Sequence, residues 1–401
     1  FIAAMKKRGI EDLTFIDCMC IPPGYYGTEE DRGRRVGHVH CNDVRGVRNN
    51  WTRGIEGLTV VVDMNEKKVI RVVDEGVVDM PSVSADYDQA SLGSPREIPG
   101  PIYQTQPMGP GFKIDGNVIE WQNWRFHVRP DHRVGLVVST VTYQQGDDIR
   151  PVLYQGHLSE IFVPYMDPAF SWFHRNFLDA GEFTVGGLTK PLMPGLDCPD
   201  NTVYLDGLIA GDNGRPRSVP RMVGIFERET GDMAWRHHTE GNEGVPESRI
   251  KRDLVVRAAA VLGNYDYIFD WIFQQDGSIR VAIGATGIAE AKPVDQLNAI
   301  ASASPGRAAP DLPADAYGRF VDSNVVAVNH DHYFSYRLDM DVDGTTNSLQ
   351  LDRLVSVDLP EDHPRRSIWV NESKIAAKES QAKLNINFDR PTLWRVVSDS
   401  R

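Results

Sequence analysis

Four cysteines in 401 residues are too few for a disulfide framework in a chain of this length. No apolar run approaches the ~20 residues that cross a bilayer as a helix. Basic residues are outnumbered, 43 Lys and Arg against 56 Asp and Glu, for a formal charge of −13. With a pI near 5.3, the chain lacks the basic footprint that nucleic acid requires. Such a surface weakly favours cationic small molecules, amines among them, although solubility is the larger reason for it. There is no Gly-rich phosphate loop, no Gly-x-Ser-x-Gly elbow and no His-Glu-x-x-His helix, so those chemistries have no signature here. The first residue is Phe1 rather than Met. The lack of a signal peptide therefore says nothing about compartment, which stays open.

What is present is turn chemistry and strand-like alternation. Gly occurs 35 times and Pro 25 times, as expected where many strands are joined by turns. The length suffices for two or three domains with a large core. Residues 1 to about 100 read as a small α+β unit. An amphipathic IAAMKKRGI comes first, and LTVVVDM and VIRVVDE then flank Asn65-Glu66 as a hairpin. Ser91 to Gly111 is rich in Pro, Gly and Ser and reads as a linker. From about Phe112 to Arg401, strand follows turn with few helical windows. The class is mainly β, with a large antiparallel β-sandwich as the second domain.

Several side chains could carry chemistry. In VLGNYDYIFDW a period of two puts Tyr265, Tyr267, Phe269, Trp271 and Phe273 on one face, a stripe that by itself reads as core. His330 and His332 are two apart, so on a strand both imidazoles face one side. Imidazole suits Cu, Zn, Fe and Ni alike, but an isolated His-x-His is more often surface or core than ligand. Asp339, Asp341 and Asp343 resemble the start of an EF-hand loop, yet the twelfth position is Gln350 rather than Glu. Asp179 precedes Ala180-Gly181-Glu182, where a lone aspartate is ordinarily a cap or a solvated charge. Cys18, Cys20, His38, His40 and Cys41 fit no zinc spacing, and GHVHC alternates like a strand, so core or surface placement is expected for them.

Four segments, in order along the chain, resemble the copper-containing primary amine oxidases, the topaquinone-dependent family. They are VPYMDPAFSWFHRNFLDAGEF, GLDCPDNTVYLDGLI, VLGNYDYIFDW and NHDHYFSYRLDMDVDG. The resemblance runs from about Gly9 to Arg401. It implies that residues 1–100 are part of a small cystatin-like N-terminal domain. It also implies that residues 112–401 are the first part of the β-sandwich catalytic domain, with the C-terminal part missing. It makes Tyr265 the precursor of topaquinone, with Asn264 fixing the ring and Tyr165 holding its oxygen. Asp179 becomes the proton-abstracting base and Phe177 the substrate gate. His330 and His332 become copper ligands, with the third histidine beyond Arg401. Asp339, Asp341 and the carbonyl of Met340 would hold a peripheral calcium-like ion. The activity implied is oxidation of a small primary amine by O2 to aldehyde, ammonia and hydrogen peroxide. The protein would be a homodimer, with neither nucleic acid nor membrane as partner.

Three departures accompany the resemblance. Val261 stands where the family usually has Thr or Ser. No cysteine follows Cys198 to pair with it. After His332 the remaining histidine is His363, in EDHPRR, whose context does not match. Two other readings keep the same residues: a β-sandwich binding module without activity, and a metallohydrolase using His-x-His and a carboxylate on bound water. Copper with a visible quinone band separates the oxidase from a colourless zinc hydrolase.

Overall fold

A computed structural model describes all residues except 25–28, 30, 82–84, 95, 98, 212, 240, 242–243, 245, 296–315, 386 and 399–401. The first unit is a short helix, α1 (Ile2–Lys7), and four strands: β1 (Ile16–Ile21), β2 (Val36–Asp43), β3 (Leu58–Asp63) and β4 (Lys68–Asp74). They form one antiparallel sheet in sequence order. Helix α1 buries Ala4 and Met5 against Ile10, Cys41, Ile55 and Leu58. The expected hairpin is β3–β4; Asp63 closes its turn by accepting the N–H groups of Asn65 and Glu66, both at 2.9 Å.

One bridge was not foreseen. Cys18 and Cys41 form a disulfide, with S–S 2.09 Å. Composition gave no sign of it, because the pairing depends on strand register: Cys18 lies directly opposite Cys41 across β1 and β2. A second helix, α2 (Gln89–Leu92), is capped by Asp88, whose side chain accepts from the N–H groups of Ala90 and Ser91. Beyond it, the described residues up to Gly111 hold no helix or strand.

The larger part is two antiparallel sheets packed face to face. The first contains β5 (Phe112–Asp115), β6 (Val118–Trp121), β7 (Trp124–Asp131), β8 (Gly135–Gln145), β9 (Asp148–Pro164) and β10 (Asn176–Leu178). The second runs in sequence order through β11 (Val203–Ala210), β12 (Pro216–His237), β13 (Glu247–Leu262), β14 (Tyr265–Gln274) and β15 (Ile279–Gly287). Trp121, Trp124, Phe126 and Val138 of the first sheet meet Ile225, Leu254, Trp271 and Phe273 of the second, and none is more than 2 % exposed. Burying rings of this size stabilises the sandwich through the hydrophobic effect; Phe126 stacks on Phe273 at 3.8 Å.

The aromatic stripe of β14 lies on one face, as its period of two requires. Trp271 and Phe273 fill the core between the sheets, while Tyr267 and Phe269 join Leu158, Ile161, Val163 and Trp172 in a second cluster. Tyr265 at the head of the strand is only half-buried. A small sheet of β16 (Ala291–Pro293), β17 (Gly318–Asp322) and β18 (Val325–Val328) leads to β19 (Tyr333–Met340), which returns to the first sheet and pairs with β9. The last sheet is β20 (Asn347–Asp358), β21 (Ser367–Ile375) and β22 (Thr392–Ser398). No helix among the described residues is long and apolar enough to cross a membrane.

Candidate active site and metal ligands

Tyr265 is placed by a tight hairpin. Leu262 pairs with Tyr265, which leaves Gly263-Asn264 as the two-residue turn between β13 and β14. Gly263 has φ +61°, the left-handed value that the first position of such a turn demands of glycine. Asn264 is fixed on both sides of its backbone: its carbonyl accepts the Ile288 N–H at 2.8 Å, and its side-chain amide donates to the Ile288 carbonyl at 2.7 Å. Opposite Tyr265 in the register stands Gly287, with φ +110°. A Cβ there would sit 2.5 Å from the Asn264 carbonyl oxygen and 3.0 Å from the Tyr265 Cα. Gly287→Ala should therefore push Tyr265 out of place, lowering the yield of any chemistry on its ring; a titration with a carbonyl reagent measures that yield.

The phenol of Tyr265 points at a histidine. Its hydroxyl lies 2.5 Å from Nε2 of His330. Burial pushes this phenol up to about 12, while hydrogen bonds with Tyr165 and Asn264 pull the other way. It stays a protonated donor at neutral pH, so His330 Nε2 is the acceptor. That assignment agrees with the other ring nitrogen, which is 2.8 Å from the Val328 carbonyl and must donate to it. The ring of Tyr165 stacks on His330, with centroids 4.5 Å apart and planes at 17°. An isolated bridge between the two backbones sets that contact.

His332 follows in the link between β18 and β19, not on a strand, with its ring centroid 5.0 Å from that of His330. Burial first, and then the neighbouring His330, lower its pKa to about 4. The ring is thus neutral near pH 7. Its Nδ1 is 2.7 Å from the hydroxyl of Tyr267, which in turn lies 3.4 Å from Oδ2 of Asp179. Burial and Asp179 raise the Tyr267 phenol, so it donates to the carboxylate and accepts the His332 Nδ1–H. Both imidazoles therefore carry their lone pair on Nε2, each oriented by a partner at the other nitrogen, which is how metal-binding histidines are ordinarily held.

Asp179 closes the group. It opens a single helical turn, Asp179–Phe183, directly after β10. Glu160 on β9 anchors that turn, its Oε1 accepting the N–H groups of Ala180 at 2.7 Å and Gly181 at 3.2 Å. Asp179 is 6 % exposed. Burial raises its carboxyl to about 7, helped by Glu182 and Glu160 and opposed by the hydrogen bond from Tyr267. A buried carboxyl poised near neutrality, beside two imidazoles and a half-buried phenol, has the chemistry of a proton acceptor.

Comparison with known proteins decides the family. Residues 113–401 match the copper amine oxidase enzyme domain, and residues 1–90 match the copper amine oxidase N3 domain. The chain belongs to the copper amine oxidase family. It is 38 % identical to copper-containing amine oxidase gamma 1 of Arabidopsis thaliana, with all of this chain and 56 % of that protein aligned. It is 36 % identical to the primary amine oxidase of Klebsiella aerogenes, across all of this chain and 51 % of that protein. The chain thus spans little more than half the length of these relatives. Among solved structures, the copper-containing benzylamine oxidase of Hansenula polymorpha superposes with a TM-score of 0.77 at 26 % identity, over 93 % of this chain and 57 % of that one. The amine oxidase of Aspergillus nidulans shares the fold, with a TM-score of 0.80 over all of this chain and 55 % of that one, at 18 % identity.

Other expected residues of this copper amine oxidase chain fall as follows. Phe177 on β10 lies edge-on to Tyr165, with centroids 6.0 Å apart. Asp339 pairs with Arg337 at 3.0 Å, Asp341 donates its N–H to the Val152 carbonyl at 3.1 Å, and the Met340 side chain packs on the main core. Among the described residues these acids join no cluster of three ligand-type side chains, so a calcium site gains no support. Cys198 is free and buried, which pushes its thiol up to about 11. His363 is exposed and bonds Arg365, and among the described residues no third ligand-type side chain completes a group with His330 and His332.

Two features escaped the sequence. Tyr267 was read only as part of the stripe, although its hydroxyl joins Asp179 to His332. A three-histidine cluster, His38, His40 and His174, forms elsewhere. The alternation of GHVHC was the available signal, since it puts His38 and His40 on one face.

Proposed function

We propose that the complete protein oxidises a primary amine with O2 to the aldehyde, ammonia and hydrogen peroxide. In this reading Tyr265 is the precursor of topaquinone, and His330 and His332 are two of the copper ligands. The observation that carries it is the 2.5 Å contact between the Tyr265 hydroxyl and His330 Nε2, which puts the ring to be oxidised beside a lone pair suited to the metal. The donor set fits: the imidazoles of His330 and His332, each with its Nδ1 held by a partner, are ligands for copper. When bound, copper supplies the redox chemistry with O2, and the quinone made from Tyr265 supplies an electrophilic carbonyl.

The chain's own groups do the rest. Tyr165 and Asn264 hold the oxygen and the backbone of residue 265, so the ring keeps one orientation. Asp179 takes the proton from the α-carbon of the amine, and its buried carboxyl keeps that proton away from water. Tyr267 ties the base to His332 and holds the carboxyl pKa down. Phe177, beside Tyr165, controls entry. The test is peptide mass spectrometry on the full-length, copper-loaded, aerated protein. The peptide containing residue 265 should carry the mass of an oxygenated ring, and an unmodified tyrosine there defeats the proposal. Tyr267→Phe removes the bond that lowers the Asp179 pKa, so the acidic limb of the kcat/KM profile should move to higher pH. A homodimer is also expected, which sedimentation of the full-length protein checks.

A further inference from the structure

Outside the site just described, three histidines converge at the contact between the two domains. His38 and His40 are two apart on β2 and face the same way. His174 comes from the loop between β9 and β10. His38 is 2 % exposed, His40 8 % and His174 2 %. Nδ1 of His38 is 3.4 Å from Nδ1 of His174, and Nε2 of His40 is 3.0 Å from Nε2 of His174. One ring nitrogen from each residue falls within 4.8 Å of the other two.

We propose that His38, His40 and His174 bind a divalent transition-metal ion of the zinc class, separate from the copper centre. Three imidazoles without a thiolate select zinc, copper, nickel or cobalt over calcium and magnesium. Burial keeps all three rings below the ordinary histidine range, His174 at about 3, so no proton has to leave for a metal to enter. Beside His40 lies a small cavity of about 20 Å³, lined also by Glu56, Ser171, Trp172, Arg175 and Glu290. It has room for one water, on the His40 side of the trio. Arg175, whose charge acts on His40 and His174, is itself paired with the buried Glu290, and the buried Glu56 accepts from Ser171 and Trp172. Without metal, the same contacts form a hydrogen-bonded row of neutral rings.

Such an ion would fasten the N3 sheet to the catalytic domain at a sensitive place. The residue after His174, Arg175, accepts the Tyr165 N–H on its carbonyl at 2.9 Å, and Phe177 follows two positions later. The metal would therefore stiffen the loop that sets Tyr165 and Phe177, without touching either.

The experiment is metal analysis of full-length protein after zinc addition and desalting. The wild type should retain one ion more per chain than His174→Gln or His38→Gln. A His330→Ala/His332→Ala variant should keep that extra ion. Zinc should also raise the Tm of this double variant, and the rise should vanish when His174→Gln is added. An equal metal count in wild type and both trio variants overturns the proposal. Should the trio variants not fold, anomalous scattering at the zinc edge from wild-type crystals decides: a peak among the three rings supports the site and its absence rejects it.

Discussion

Tyr265→Phe is expected to give a folded, copper-binding full-length protein that forms no coloured adduct with phenylhydrazine and shows no amine turnover. The change removes one oxygen from the ring and with it the hydrogen bond to His330 Nε2. Leaving that nitrogen without its donor costs about 1–3 kcal/mol, well inside the ordinary stability of a domain, roughly 5–15 kcal/mol. The stripe below is untouched, because Tyr267, Phe269, Trp271 and Phe273 keep their packing. Loss of the adduct can then be assigned to chemistry and not to unfolding. A surviving coloured adduct would place the reactive carbonyl on another residue.

Asp179→Asn should separate cofactor formation from turnover. The adduct with phenylhydrazine should persist, while kcat falls by about 10²–10⁴-fold, the usual worth of a positioned base. In the wild type the active form is the carboxylate, so kcat/KM should rise with pH through about 7, the value to which burial lifts Asp179. The variant has no carboxyl there and should lose that limb. Stability should move oppositely. The folded-state pKa lies above the ordinary 3.8, so the folded chain holds its proton more tightly than the unfolded chain does. Stability is then lost as pH rises from about 4 to 7, and the ionised carboxyl costs up to about 4 kcal/mol above that range. Asparagine avoids this cost, so the Tm advantage of the variant should be larger at pH 8 than at pH 5. Near-normal turnover, or an unchanged acidic limb, would remove Asp179 from its role.

Local periodicity made much of this legible. The stripe of β14 follows from alternation along one strand and the β3–β4 hairpin from a local turn, both of which depend on few distant contacts; His330 and His332 come together although they lie in the link between β18 and β19. What could not be read involves partners far apart. Cys18 meets Cys41 only through the register of β1 on β2. His174 reaches His40 across 134 positions. The bond from Tyr267 to Asp179 spans 88 positions and that to His332 spans 65.

Strand β9 has a consequence for how the chain is made. It carries Glu160, which anchors the Asp179 turn, and leads directly into Tyr165. Its residues Leu153 to Phe162 find their partners on β19 only at positions 333–340. During synthesis that flank of β9 emerges nearly two hundred residues before its partner, leaving open backbone groups that invite wrong pairing. Sequence separation this large also slows the search for the correct partner. Nascent chains stopped before β19 should therefore need chaperone shelter, and those extended past Met340 should lose that need.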